Sequence, residues 1–147
     1  MTAYSIISYC IDNFGYAESE ENSLGTEIFY SRGGGKYFFL GIREFDSEGD
    51  TLSRLDRHGV FRVTLRLSKD KFNALFGKSA KPDKSGYITR APEDYDKKNK
   101  ITPHPVLSGD YCIQCLNPEE KLFETLLKEL IAESYRRARS EYLSEKS

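Results

Sequence analysis

The chain has 147 residues, 22 basic against 23 acidic, and a net charge of -1 at neutral pH. That balance supplies no field to draw the protein onto nucleic acid or an anionic membrane, and 38% hydrophobic content with ten Tyr and nine Phe excludes a disordered chain. No apolar run approaches the ~18 residues that cross a bilayer, and no basic stretch followed by an apolar one opens the sequence, so a cytoplasmic protein is expected. Cys10, Cys112 and Cys115 form an odd set, which suits reduced thiols in a reducing compartment. The length suits a single domain over residues 1–147 with one core.

In chain order, Ile6, Ile7, Cys10, Ile11 and Phe14 recur at steps of three and four, with Thr2 placed to cap and Gly15 to stop, which predicts an amphipathic helix over residues 2–14. Residues 18–22 read as an acidic turn. Residues 27–31 and 36–43 then read as two strands of a hairpin joined across Arg32-Gly33-Gly34-Gly35. The glycines supply the positive φ angles of such turns. After a charged loop over residues 44–57, Phe61, Val63, Leu65 and Leu67 alternate with Arg62, Thr64 and Arg66: a strand with one core face and one polar face. Ser68 predicts an N-cap for a helix over residues 69–76, closed by Gly77.

Residues 78–110 are polar, rich in Lys, Asp and Pro, and without period, so a long loop is expected there. A strand over residues 111–116 follows. Asn117-Pro118-Glu119-Glu120 reads as an N-cap, a proline at the first helical position and acids in the first turn of a long final helix. Its apolar stripe runs from Leu122 through Leu130 and Ser134 to Tyr142. The order α-β-β-β-α-β-α predicts an α+β fold, an antiparallel sheet flanked by an N-terminal helix, a middle helix and a long C-terminal helix.

Several segments share an order and spacing: Ser53-x-Leu55-Asp56-Arg57-x-Gly59-Val60-Phe61-Arg62, then Phe72 and Phe76-Gly77, then Pro103-His104-Pro105-Val106, then Leu116-Asn117-Pro118. Over nearly its whole length the chain resembles the bacterial domain-of-unknown-function family six-one-nine-four. His58 stands where that family usually carries proline, Thr64 where asparagine is common, and Tyr111 where a tryptophan often precedes the strand. The strand, the Asn-Pro turn and the helix through Glu133-Ser134-Tyr135 also resemble, distantly, the MmcQ/YjbR group of small α+β proteins discussed as DNA binders. That likeness concerns fold more than activity.

Candidate chemistry sits on the loops. Asp56 and Arg57 stand at the mouth of a strand that continues with Arg62 and Arg66, an arrangement able to offer a guanidinium fork to a carboxylate or phosphate. The simpler reading is that Asp56 caps a turn and pairs with an arginine to fix the loop. His104, between two prolines, projects from restricted backbone and could act as an acid or base, although a structural hydrogen bond is the commoner role. Cys112 and Cys115 lie three apart in a strand, which sends their sulfurs to opposite faces, so no metal is expected. Gly33 to Lys36 lacks the frame of a phosphate loop, and Asp46, Glu48 and Asp50 lack the glycine and glutamate of a calcium loop, which leaves a solvated acidic loop.

The sequence therefore predicts a binding module for a small anionic ligand or a protein partner, without a cofactor. Asp56, Arg57, Arg62 and His104 are the ligand-binding candidates, at a pocket where the Asp56-Arg57 loop meets the His104 loop. One alternative is an enzyme with His104 as general acid or base and Arg57 or Arg62 holding an oxyanion or phosphate. The other is nucleic-acid binding through Arg62, Arg66 and the helix end from Arg136 to Arg139, which the neutral charge disfavours.

Overall fold

A computed structural model describes residues 1–77 and 85–146. The first helix, α1 (Ala3–Asn13), opens on a reciprocal cap: the Thr2 hydroxyl accepts from the Ser5 N–H at 3.0 Å, and Ser5 Oγ accepts from the Thr2 N–H at 3.0 Å. These satisfy donors that have no partner inside the helix. The strands β1 (Ala17–Asn22), β2 (Gly25–Arg32), β3 (Gly35–Arg43), β4 (Arg62–Arg66), β5 (Ile101–Pro103) and β6 (Cys112–Leu116) form one sheet. Its order is β1-β2-β3-β4-β6-β5, antiparallel throughout. Between β4 and β5 lies α2 (Lys69–Phe76), capped by the Ser68 hydroxyl on the Lys71 N–H. The C-terminal helix is α3 (Glu120–Leu122), a π turn over Phe123–Leu127, and α4 (Lys128–Lys146).

The α+β architecture and its three helical regions match the sequence reading, and the β2–β3 turn places Gly33 and Gly34 at φ 59° and 83° as a two-residue hairpin requires. Other local readings change. The expected acidic turn over residues 18–22 is strand β1, held by backbone pairing with β2 while almost every side chain stays exposed. The long polar segment contains β5 and two 3-10 turns, Pro92–Asp94 and Ser108–Asp110; the first seven residues of that expected loop, 78–84, lie outside the described residues. Asn117 does not cap the final helix. Its Oδ1 accepts from the Phe61 N–H at 3.1 Å and its Nδ2 donates to the Gly59 carbonyl at 2.8 Å, so it clamps the signature loop, and Glu119 is the N-cap instead.

All three helical regions pack on one face of the sheet. Ile6 and Cys10 of α1, Phe76 of α2, and Leu127, Leu130, Ile131 and Ala138 near the C-terminus share a core with Ile28, Tyr30, Phe39, Ile42, Val63, Leu65 and Ile113. A bulge between Ile28 and Phe29 pairs Phe29 with Phe38 and Ile28 with Leu40, so Phe39 is an extra residue in β3. Phe39 and Leu40 both join the core, and Phe38 and Gly41 both turn to the other face. The helix is tied to the sheet by a polar link as well. Buried Ser134 donates from Oγ to the Phe39 carbonyl and accepts from the Arg66 N–H at 3.0 Å, serving β3 and β4 at once.

Replacing Ser134 with alanine leaves a buried carbonyl and a buried N–H without that partner. Chemical denaturation should show a loss of about 2 kcal/mol for Ser134→Ala, whereas Ser140→Ala, exposed on the same helix, should change stability by less than about 0.5 kcal/mol.

Candidate functional site

The face of the sheet away from the helices follows from register. Glu27 pairs with Gly41, Gly41 with Thr64, Thr64 with Gln114, and Gln114 with Thr102, so these residues form one row across five strands. A neighbouring row runs Arg43, Arg62, Leu116. The alternation of β4 was read as core on one side and polar on the other. Its polar side is in fact partly roofed: Arg62 is 2% exposed because the loop over residues 44–60 folds across it and meets it through Asp50 and Ser53.

That roof is held by paired polar groups. The Arg62 guanidinium donates to both carboxylate oxygens of Asp50, from Nη1 at 2.9 Å and from Nη2 at 2.6 Å, and its Nη1 lies 3.4 Å from Ser53 Oγ. Two donors on two acceptors fix the loop in angle as well as distance. The guanidinium holds the Asp50 carboxyl below the usual carboxylate range. Ser53, fully buried, donates to Gln114 Oε1 at 2.8 Å, and Gln114 Nε2 donates to the Tyr95 carbonyl at 3.0 Å, so one side chain on β6 secures two loops. Leu55, Val60 and Leu116 close a small apolar cluster beneath the same loop.

The part of the face left unroofed is a cavity of about 560 Å³. Its floor is Phe29, Phe38, Gly41, Arg43, Arg62, Thr64, Arg66 and Cys112, and its walls are the Ser47–Asp50 turn on one side and His104, Val106, Leu107 and Asp110 on the other. Gly41 leaves room on the floor for the Phe38 ring: a Cβ there would stand 3.1 Å from Phe38 Cζ. Arg66 is engaged by Glu141 and by Asp110 at 3.7 Å, and Asp110 is also held by Arg137 at 2.6 Å. Arg43 differs from its neighbours. Its nearest carboxylate, Glu27, is 4.0 Å away, and its side chain is 30% exposed.

His104 extends the β5–β6 ladder, donating its N–H to the Cys112 carbonyl at 2.9 Å. The residue is 2% exposed, and its Nδ1 accepts from the Val106 N–H at 3.1 Å and the Leu107 N–H at 3.0 Å. A nitrogen accepting two backbone donors carries no proton, so the neutral ring bears its hydrogen on Nε2. Burial and the Arg62 and Arg43 cations push its pKa down to about 4, only partly opposed by Asp50. At neutral pH it is a fixed hydrogen-bond donor.

The four residues expected to share a pocket are divided. Arg62 and His104 line the cavity just described, whereas Asp56 and Arg57 line a separate depression of about 890 Å³ with His58, Phe45 and the start of α1. Arg57 donates from Nε to the Arg54 carbonyl and from Nη2 to the carbonyls of Ser53 and Asp96, and Asp56 Oδ1 accepts from the Asp46 N–H while Asp46 Oδ1 accepts from the Leu55 N–H. Both residues hold the loop, although Asp56 does so through backbone and not through an arginine. The acidic loop expected to be solvated turns Asp46 and Asp50 inward. Cys112 lines the cavity and Cys115 belongs to the core under the helices, so the strand does send them apart, and burial raises both thiols, that of Cys112 to about 11. No group of three or more metal-ligating side chains occurs among the described residues.

Sequence reasoning missed Asp50, Ser53, Arg43 and Gln114. Gln114 alone carried a signal, as the polar residue of an otherwise apolar strand whose five side chains are all buried. The others depend on partners brought together by the fold.

Fold and site define a small α+β domain with a ligand-sized cavity on the open face of its sheet. The chain belongs to the DUF6194 family, a family of unknown function, whose model matches residues 1–147. No curated protein and no solved structure matches, so no match bears on the distant likeness to the MmcQ/YjbR group.

Asp50→Ala should lower stability by about 3 kcal/mol, because it leaves Arg62 buried without its counter-charge, and pairing it with Arg62→Met should recover most of that loss in equilibrium denaturation. The unfolded chain protonates His104 near pH 6.5 and the folded chain only near 4. Stability tied to His104 is therefore complete above pH 6.5 and falls as pH drops through that window, by about 3 kcal/mol in all. In His104→Asn, whose side-chain oxygen can replace Nδ1 as acceptor without titrating, this part of the decline should vanish.

Proposed function

We propose that the protein is a binding module for a small ligand bearing an anionic group, received in the cavity on the open face of the sheet. The observation that carries this reading is Arg43. Of the cavity arginines it stands farthest from a carboxylate, with Glu27 4.0 Å away, whereas Asp50 meets Arg62 and Glu141 meets Arg66, and it lies on the floor beside a neutral His104 whose tautomer presents an N–H. A carboxylate or phosphate there gains a guanidinium in a partly desolvated setting, where charge-assisted hydrogen bonds are strong. Phe29, Phe38, Val106 and Leu107 offer the apolar surface against which the rest of a ligand packs.

The other readings draw less support. A general base needs a free ring nitrogen at neutral pH, and both of the backbone donors on His104 occupy the one that lacks a proton. For nucleic acid, Arg62, Arg66, Arg136 and Arg137 are each already paired with a neighbouring carboxylate, which removes most of the basic patch. No helix among the described residues is long and apolar enough to cross a membrane. On the same footing we assign the protein to the bacterial cytoplasm: three free, buried cysteines suit a reducing compartment, and the bacterial source rests on the family resemblance alone.

Thermal-shift titration with inorganic phosphate, acetate, benzoate and phenylacetate tests the reading. At least one should raise the melting temperature in a saturable way, and Arg43→Gln should weaken that response about tenfold or more while changing intrinsic stability by less than about 1 kcal/mol. An equal response in Arg43→Gln, or none from any anion in the wild type, would overturn it.

A further inference from the structure

The charges that line the cavity do not all remain available to a ligand. Asp50 is matched by Arg62 through two hydrogen bonds, and Asp110 by Arg137 and Arg66. What remains is Arg43 on the floor, Glu27 at 4.0 Å from it, and Glu48 at the tip of the turn closed by the Ser47–Asp50 bridge. The residual set is thus one cation and two carboxylates around an apolar floor. A ligand with an anionic group alone would satisfy Arg43 and meet Glu27 and Glu48 as like charges, at a cost that grows with desolvation.

Resting on the binding reading above, we infer that the ligand is a zwitterion of the apolar α-amino-acid class. Its carboxylate is received by Arg43, its ammonium by Glu27 and Glu48, and its side chain by Phe29, Phe38 and Leu107. Three features of the site agree on this. Opposite charges a few ångströms apart are spaced like the two ends of an amino-acid backbone, and the 4.0 Å gap between Glu27 and Arg43 leaves neither committed to the other. The Phe29 and Phe38 rings, edge to face with centroids 6.3 Å apart, form an apolar floor suited to a branched or aromatic side chain. Glu48 is exposed at the turn next to Gly49, which has φ 77°, and the neighbouring Asp50–Arg62 pair fixes where that turn stands over the floor.

Isothermal titration of the full chain with L-phenylalanine and L-leucine, their deaminated acids 3-phenylpropanoate and 4-methylpentanoate, and 2-phenylethylamine tests the inference. At least one amino acid should bind about tenfold or more tighter than its deaminated acid. Glu48→Gln combined with Glu27→Gln should erase that preference without abolishing binding of the acid, and Arg43→Gln should weaken both. Glu48 is exposed on the turn and Glu27 and Arg43 are each about a third exposed, so circular dichroism of each variant should match the wild type. A deaminated acid that binds as tightly as its amino acid overturns the zwitterion and leaves the anionic reading standing. The amine binding as tightly as the amino acid, with no response to Arg43→Gln, overturns both. If none of these probes binds while the simple anions of the preceding titration do, the inference alone falls.

Discussion

The buried pair between Arg62 and Asp50 is the constraint on which the open face depends. A guanidinium at 2% exposure needs a counter-charge, and the sheet itself supplies none: its cross-strand neighbours are Arg43 and Leu116. The carboxylate comes from a loop twelve residues earlier in the chain, and bringing it in draws that loop across the sheet. With Asp50 in place, Ser53 reaches Gln114, Leu55 meets Leu116, and the signature segment lies flat over the far end of β4 and β6. The cavity is the part of the face that this loop does not reach.

Two departures from ideal strand geometry shape what remains. The bulge in β3 spends one residue to bring Phe38 and Gly41, three apart, onto the same side, so an aromatic ring lies over a position without a side chain. At the other end, His104 uses the turn after β5 to hold its own ring, with two backbone N–H groups fixing one nitrogen and therefore the proton on the other. An apolar floor and a donor are thus set by backbone before any ligand arrives, and that order matters for affinity, because a group already fixed loses little entropy on binding.

Legibility in the sequence divided along the range of the interactions. The Gly33-Gly34 hairpin, the Ser68 cap and the alternation of β4 were readable because each is decided within a few residues. Strand β1 was not: its side chains are polar on both faces, and only the ladder with β2 makes it a strand. Strand β5 has three residues, too few for any period. Asn117 had the composition of a helix cap and was taken for other work by Phe61 and Gly59, a competition between equally good acceptors and donors that only the tertiary fold resolves. The candidate site was half legible for the same reason. Arg62 and His104 stood out as residue types, but Asp50 and Arg43 gain their meaning from partners present or absent across the sheet.

The two edges of the sheet also differ in kind. Beyond β5 the chain itself provides cover, since Ile101 exchanges backbone hydrogen bonds with Tyr87 and Thr89. Strand β1 has no such neighbour among the described residues, and its outer row of N–H and C=O groups faces solvent. Along it stand Glu18, Glu20 and Glu21, all exposed. Two molecules that met edge to edge would bring glutamates opposite glutamates, so the acids that made this segment look like a turn guard an otherwise pairable edge against runaway strand addition.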